Sequence, residues 1–84
     1  MYFYVYMILT KINGKYVSYV GYTKDLKKRL TLHNTSKGAK FTKGKKWKII
    51  YSKKFKTKSI AMKEEHLLKK DFKKRKIIKS KFIN

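Results

Sequence analysis

One apolar segment near the N-terminus, residues 2–10 (YFYVYMILT), limits most strongly what this chain can fold into. Its odd-numbered positions hold Phe, Val, Met and Leu, and its even-numbered positions hold Tyr, Ile and Thr. Both faces of an extended chain are therefore apolar, and aromatic and β-branched residues favour that conformation. Because a strand of this kind is buried on both faces, the segment predicts the central strand of a sheet.

A hairpin is predicted directly after this strand. Asn13-Gly14 is typical of a two-residue turn, in which both residues adopt positive φ angles. Residues 16–22 then supply a returning antiparallel strand, and Gly21 within it indicates a close approach or a bend.

The next segments predict a helix and a cationic loop. Asp25 is suited to cap the helix, and Leu26, Leu30 and His33 follow it at helical spacing. Residues 34–46 contain two glycines and many lysines, so they predict a loop.

A third strand (residues 47–52, WKIIYS) and a second helix complete the order ββαβα. Either Thr57 or Ser59 caps this helix, and its predicted apolar face consists of Ile60, Ala61, Leu67, Leu68 and Phe72. Residues 73–84 are either a short basic C-terminal helix or a frayed end, an extension of the domain formed by residues 1–72. The order predicts an α+β fold, a three-stranded antiparallel sheet flanked by helices.

The charge of the chain indicates its class of partner. Its 84 residues include 25 Lys and Arg against four Asp and Glu, a formal net charge of +21. Such a charge on a short chain can indicate disorder, but 15% aromatic and 42% hydrophobic residues argue for one small folded domain. A cationic domain of this kind predicts a polyanionic partner, and nucleic acid is favoured over a membrane surface because no long amphipathic helix is evident.

Composition also narrows the chemistry. Only Arg29 and Arg75 among the cations are Arg, which favours sequence-independent phosphate contact over base reading. The absence of Cys excludes disulfides, thiolate metal sites and Cys nucleophiles. The chain has no evident export signal, so we expect an intracellular protein.

Two adjacent acids, Glu64 and Glu65, fall near the apolar side of the second helix. A carboxylate there is costly unless it is paired or bound to a metal. Pairing of Glu65 with Lys69, four residues on, is one explanation. A metal site is the other, and helical geometry alone does not decide between the two acids.

A second set of residues could act on a phosphate. Arg29 and His33 are four residues apart and share a helix face, beneath which Tyr6, Tyr19 and Tyr22 of the strands could lie. Arg neutralises developing charge on a phosphate, whereas Tyr and His transfer protons. The alternative is that the tyrosines are half-buried sheet residues and that His33 only packs.

Five blocks in order along the chain closely resemble the GIY-YIG nuclease domain, in particular its small single-domain branch. The first two blocks are YVY at 4–6 and YVG at 19–21. The other three are YTKDLKKRLTLHN at 22–34, KGAKFTKGKKW at 37–47 and SIAMKEEHLLK at 59–69. The resemblance covers about residues 3–72. It implies the same three-stranded sheet that the order of elements predicts.

The resemblance also implies roles for individual residues. It places Tyr6 and Tyr19 at a reaction centre, one of them as general base. It implies that Arg29 stabilises the phosphoryl group and that His33 assists proton transfer or orients the water.

Further implied roles concern the metal and the substrate. Glu65 matches the single carboxylate that ligates a divalent metal, Mg²⁺ or Mn²⁺, and Gly21 matches a glycine that lets the backbone pack tightly. A single carboxylate with water ligands suits Mg²⁺. The candidates for phosphate contact are Lys28, Lys37, Lys40, Lys43, Lys45 and Lys69.

The expected function is therefore that of a divalent-metal-dependent DNA endonuclease with weak sequence specificity. The alternative is a basic nucleic-acid-binding protein on the same scaffold, either non-catalytic or activated by a protein partner. We expect a monomer or a weak homodimer.

Overall fold

The structure is a computed structural model that describes residues 1–35, 37, 40–42 and 44–83. Three strands and three α-helices follow one another along the chain, with a short 3-10 helix at Lys40–Thr42 before the third strand. The elements are β1 (Phe3–Ile12), β2 (Lys15–Thr23), α1 (Leu26–Asn34), β3 (Lys48–Phe55), α2 (Lys58–Lys70) and α3 (Phe72–Ile83).

The apolar N-terminal segment forms the middle strand of the sheet, as predicted. The strand order is β2-β1-β3, and both pairings are antiparallel. Asn13 and Gly14 have φ angles of 50° and 80°, so the β1–β2 turn is the tight turn that these residues favour. The β1–β3 register shifts between Met7 and Ile8, which leaves Ile50 as the extra residue of a bulge. The predicted α+β fold with a three-stranded antiparallel sheet is confirmed.

The alternation along β1 divides the core between the two faces of the sheet. On one face, Val5 and Met7 pack with Val20 and with Ala61 and Leu68 of α2. The other face, which α1 covers, buries Tyr6, Ile8 and Trp47 together with the half-buried Leu26 and Leu30. Met7 and Ile8 are fully buried, and each contributes about 1.5–3 kcal/mol relative to an exposed side chain. Alternate residues of β1 thus hold a helix on each face of the sheet.

Side-chain caps fix where the helices begin. The Asp25 carboxylate accepts a hydrogen bond from the Lys28 amide at 3.0 Å, as predicted for α1. Thr57, and not Ser59, caps α2 by accepting from the Ile60 amide at 3.1 Å. Asp71 ends α2, and its carboxylate accepts from the Lys74 amide at 3.0 Å, so that it also starts α3. The two helices therefore meet at a single residue.

The predicted apolar face of α2 is wrong in three of its five members. Ala61 and Leu68 lie against the sheet, but Ile60 and Leu67 are 47% and 51% exposed. Phe72 belongs to α3 and is also exposed. A three-stranded sheet covers only a narrow stripe of a helix, so the residues beside that stripe stay in solvent.

Of the two alternatives for the C-terminal residues, the structure has the helix. Half-buried Ile78 of α3 packs against the core between α2 and the sheet. The third strand also extends further than predicted, to Phe55, whereas Trp47 precedes it. Among the described residues, no helix has the length and apolar character to cross a membrane.

Candidate active site

The hydroxyl group of Tyr6 lies at the centre of a buried polar cluster. Tyr6 belongs to β1, and its side chain is 2% exposed. Its hydroxyl oxygen lies 2.7 Å from Nε2 of His33, and Nε of Arg29 donates to the same oxygen at 3.5 Å. Because Arg29 and His33 are one turn apart on α1, both reach down from the helix to one phenol. The predicted juxtaposition of these three side chains is therefore present.

Gly21 makes room for this hydroxyl. It faces Tyr6 across the β1–β2 pairing. A Cβ atom at position 21 would lie 2.5 Å from the Tyr6 oxygen and 2.7 Å from Cζ of the same ring. Any side chain would collide with Tyr6, so the close approach that Gly21 indicates is between the β2 backbone and the phenol end of this tyrosine.

His33 is held through both ring nitrogens. Its side chain is fully buried, and Nδ1 lies 2.8 Å from Oγ1 of Thr42. The partners described for the Tyr6 hydroxyl are His33 and Arg29, and Arg29 Nε can only donate. The Tyr6 proton therefore goes to Nε2, which leaves the ring proton on Nδ1 and makes Thr42 its acceptor. This assignment rests on the hydrogen-bond network.

The electrostatics of the cluster favour neutral groups. Burial raises the pKa of Tyr6 above its usual value, although the Arg29 guanidinium, by hydrogen bond and charge, opposes the change. Burial also lowers the pKa of His33, and the positive charge of Arg29 lowers it further. At neutral pH the cluster thus holds a phenol that keeps its proton beside an imidazole that can accept one.

The two adjacent acids of α2 lie on different sides of that helix. The negative charge of Glu65 contributes to the raised pKa of Tyr6, and its carboxylate lies 3.6 Å from Nζ of Lys69. Glu64 lines a cavity of about 300 Å³ with Tyr51 and Lys53 of β3. Glu65 is therefore the acid on the Tyr6 side, and the pairing with Lys69 is also present.

Glu65 is suited to hold a metal that keeps most of its water ligands. Its side chain is 18% exposed, and the ion pair with Lys69 engages Oε1. Within the described residues, no group of three or more His, Cys, Asp or Glu could surround an ion. A metal at this place would have one protein carboxylate, which Mg²⁺ tolerates better than metals that need a full protein cage.

The two other tyrosines of the predicted set diverge. Tyr19 lies edge-to-face on the His33 ring with centroids 5.3 Å apart, and it stacks on Phe41 at 6.1 Å. Its neighbour in β2, Tyr22, packs on the opposite face of the sheet against the core below α2. Tyr19 therefore joins the Tyr6 cluster, whereas Tyr22 does not.

The predicted phosphate-contact lysines differ in their surroundings. Lys28 lines a cavity with Arg29, and Lys69 lines another beside Tyr19. Lys45 folds back on the 3-10 helix, where its Nζ donates to the Phe41 carbonyl at 3.2 Å. Two more, Lys37 and Lys40, are exposed, and Lys43 lies outside the described residues.

Three positioning residues escaped the sequence analysis: Thr42, Asn34 and Trp47. The Thr42 carbonyl accepts from the Trp47 indole at 3.1 Å. Asn34 donates to the Trp47 carbonyl at 3.2 Å and accepts from its amide. These bonds hold the loop that brings the Thr42 hydroxyl to His33. Because a buried indole N–H requires a hydrogen-bond acceptor, the sequence indicates that Trp47 has one. Which residue supplies that acceptor depends on how the loop folds.

Comparisons with known proteins identify the family of this chain. The family model described as "GIY-YIG catalytic domain" matches residues 2–78. A UPF0213 protein of Oceanobacillus iheyensis is 50% identical over 52 residues, which are 61% of this chain and 60% of the relative. A UPF0213 protein of Streptococcus pneumoniae is 43% identical over 67 residues, 79% of this chain and 65% of the relative.

A solved structure is also similar. The solution NMR structure of a UPF0213 protein from Bacillus halodurans has 34% sequence identity and a TM-score of 0.49, with 96% of this chain and 86% of that chain covered. The matched region spans less than two thirds of the length of the two curated relatives above. Since the family model covers nearly the whole sequence, this chain belongs to the GIY-YIG nuclease family.

Proposed function

We propose that this protein is a divalent-metal-dependent endonuclease that hydrolyses phosphodiester bonds of DNA with weak sequence specificity. The observation that carries the proposal is the hydrogen bond between Tyr6 and His33, with Arg29 on the same hydroxyl. This arrangement combines a proton-transfer pair with a cation suited to a phosphate. The net charge of +21 supplies the attraction to a polyanion.

The proton moves along a defined route in this proposal. A water molecule that attacks phosphorus gives its proton to the Tyr6 oxygen, while the Tyr6 proton passes to Nε2 of His33. The P–O bond to the leaving oxygen breaks, and that oxygen takes a proton from solvent. The resulting imidazolium keeps its Nδ1–H bond to Thr42. The raised pKa of Tyr6 and the lowered pKa of His33 mean that both groups start neutral, so Tyr6 has a proton to relay and Nε2 of His33 is free of one.

Arg29 and Glu65 have separate tasks. The Arg29 guanidinium lies beside the oxygen through which the proton passes, so it can neutralise charge that develops on the non-bridging phosphate oxygens. Glu65 would hold the metal, which as a Lewis acid supplies stabilisation of the leaving oxygen. Tyr19 packs edge-to-face on the His33 ring, and Tyr19 itself lines the neighbouring cavity.

A plasmid-nicking assay tests the proposal. The wild type is incubated with supercoiled DNA in Mg²⁺ or Mn²⁺ and, in parallel, with EDTA. We expect metal-dependent nicking by the wild type, no nicking by Glu65→Gln, and nicking by the matched control Glu64→Gln, whose side chain lines the cavity beside β3. Loss of activity in Glu64→Gln alone would reverse the assignment of the metal ligand.

Arg29→Ala separates catalysis from binding. We expect turnover to fall about 100- to 1,000-fold, as on removal of a group that stabilises transition-state charge, with a much smaller loss of DNA affinity. A loss confined to affinity would make Arg29 a simple phosphate contact. Tight binding by the wild type without nicking in either metal would favour the alternative, a nucleic-acid-binding protein that is non-catalytic or needs a partner.

A further inference from the structure

Two basic cavities flank the Tyr6 cluster along the free edge of β2. The first, of about 430 Å³, has Lys24, Lys28 and Arg29 on one side, with the α1 cap Asp25 among them, and Lys58 of α2 on the other. The second, of about 280 Å³, has Tyr19 and Phe41 on one side and Lys69 and Arg75 on the other. Each cavity thus joins residues from both faces of the sheet, which is feasible only at its edge.

The order of residues along β2 places the cluster between these cavities. Tyr22 and Thr23 line the first cavity, and Ser18, Tyr19 and Val20 line the second. Gly21, over which the Tyr6 hydroxyl lies, is the residue between the two sets. The edge of β2 therefore runs from one cationic cavity past the candidate reaction centre to the other.

Helix α2 presents the same order from the opposite side. Lys58, Glu65 and Lys69 fall within about 40° of one another on the helix, because they are seven and four residues apart. Lys58 lines the first cavity, Lys69 lines the second, and Glu65 lies between them. The eleven residue steps from Lys58 to Lys69 rise about 16 Å, which matches about five nucleotides of one strand at 3.4 Å each.

Arg75 is oriented for an anion in the second cavity. Its Nε donates to the Leu68 carbonyl at 3.2 Å, so the start of α3 holds the guanidinium against the end of α2. A guanidinium anchored by one N–H still has donors in a fixed plane, a geometry that matches phosphate oxygens. Lys58 is the first residue of α2, whose first turn contains no acid. A cation there is unfavourable for the helix alone, and a bound phosphate would relieve that repulsion.

We propose that Lys58 and Arg75 bind two phosphates of the same nucleic-acid strand, one on each side of the bond that the Tyr6 cluster attacks. The proposal rests on the proposed function for the position of that bond, but the two phosphate contacts themselves need no cleavage. The strand lies along the edge of β2. Lys58 takes a phosphate beside Arg29, and Arg75 takes another beside Tyr19.

Arginine side-chain signals of the wild-type protein test the Arg75 half of the proposal, and one variant serves only to assign them. The chain has two arginines, and Nε of each donates a hydrogen bond, to Tyr6 and to Leu68. A proton–nitrogen correlation spectrum should therefore contain two assignable Nε–H signals, with Arg75→Lys identifying one by its loss. In EDTA, a DNA oligonucleotide of about five nucleotides should shift both signals. A shift of the Arg29 signal alone would overturn the role of Arg75.

Salt-dependent binding of the same oligonucleotide tests Lys58. In a plot of the logarithm of the binding constant against the logarithm of salt concentration, each phosphate contact on a single strand contributes about −0.7 to the slope. Lys58→Gln should therefore make the slope shallower by about 0.7 and weaken binding about fivefold at about 0.1 M salt. Arg75→Gln should do the same. The matched controls are Lys63→Gln and Lys73→Gln, which remove the same charge from exposed positions of α2 and α3 that line neither cavity.

The outcomes distinguish this proposal from the proposed function. Equal effects in the controls and in the Lys58 and Arg75 variants would show diffuse attraction and overturn the two phosphate contacts. Selective effects of the Lys58 and Arg75 substitutions, together with a wild type that binds but does not nick plasmid, would uphold the contacts and refute a nuclease that acts alone. A protein that nicks plasmid, but whose Arg75 signal does not shift with DNA and whose salt slope is unchanged by Lys58→Gln, would refute the contacts and uphold the nuclease.

Discussion

Replacement of Gly21 by alanine tests whether the Tyr6 hydroxyl is as tightly confined as the structure indicates. The new Cβ would lie 2.5 Å from the hydroxyl oxygen, whereas comfortable carbon contacts lie near 3.5 Å. Tyr6 must therefore retreat by about 1 Å. Its ring is buried and its oxygen is 2.7 Å from His33, so this retreat breaks or distorts that hydrogen bond.

The expected loss of stability follows from these two effects. Overpacking of a buried side chain costs about 1–3 kcal/mol, and a buried hydrogen bond left unsatisfied costs a similar amount. We therefore expect Gly21→Ala to lower the free energy of unfolding by about 2–6 kcal/mol. At about 4–8 °C per kcal/mol for a domain of this size, the melting temperature should fall by at least about 8 °C.

Denaturant unfolding followed by the fluorescence of Trp47 measures this loss. Trp47 is the single tryptophan and is 3% exposed, so its emission should report unfolding. Gly44→Ala is the control, because a Cβ there meets nothing within 4 Å and its penalty comes from a positive φ alone. The variant Tyr6→Phe removes the closest atom, so the double variant Gly21→Ala/Tyr6→Phe should be more stable than the sum of the single losses predicts. Additive losses, or wild-type stability of Gly21→Ala, would refute the reasoning.

Three further predictions concern the groups around this centre. Thr42→Val removes the partner of Nδ1 of His33; we expect about 1–3 kcal/mol of lost stability in denaturant unfolding and a fall in kcat with little change in KM. The pKa of His33 is lowered in the folded state, so protonation of the unfolded chain should reduce the free energy of unfolding as pH falls below about 6.5. This decline should level off below the folded-state pKa, and acid titrations of His33→Gln should not show it. Asp71→Ala should cost about 0.5–2 kcal/mol through loss of the α3 cap, and Asp71→Asn should recover most of it in thermal unfolding; equal losses would show that capping is not the cause.

The elements of the fold were predictable where a local rule decides them. The double-faced apolar pattern of residues 2–10 predicts the central strand, and Asn13-Gly14 predicts the turn from its φ requirement alone. Errors arose where the answer depends on the width of the sheet. Ile60 and Leu67 have the spacing of a buried face, but only Ala61 and Leu68 meet strands. Sequence periodicity marks apolar positions and does not reveal how much surface is available to cover them.

The candidate site was predictable to a similar degree. Helical spacing brings Arg29 and His33 to one face above the strand tyrosines, and the resemblance to a family singled out Tyr6 and Tyr19 among those tyrosines and Glu65 among the two acids. Spacing could not choose between the adjacent acids of α2, because the two lie about 100° apart on the helix and both border its apolar side. The position of the sheet edge separates them, and only Glu65 influences the pKa of Tyr6.

Residues that reach the site across long stretches of sequence could not be found by pattern. The Thr42 hydroxyl contacts His33 because the loop is closed by hydrogen bonds between Asn34 and Trp47. Arg75 reaches the cavity beside Tyr19 because α3 turns back at Asp71. Both placements depend on the path of the chain between elements, which neither composition nor periodicity specifies.

The distribution of the four acids explains how so cationic a chain can fold and still attract a polyanion. Asp25 and Asp71 cap helices, where each satisfies a backbone amide near a positive helix end. Glu64 lies among Lys53 and Lys74 beside β3. Glu65, the remaining acid, lies on the Tyr6 side of α2. Negative charge is therefore confined to helix ends and to two positions of α2, so the lysines on the rest of the surface remain largely unneutralised.

An unbalanced surface of this kind destabilises the folded chain through repulsion, and a bound phosphate backbone relieves that repulsion. Along the basic edge of β2, Glu65 is the carboxylate on the Tyr6 side, which is why the proposed function assigns the divalent cation to it and not to a lysine-lined cavity.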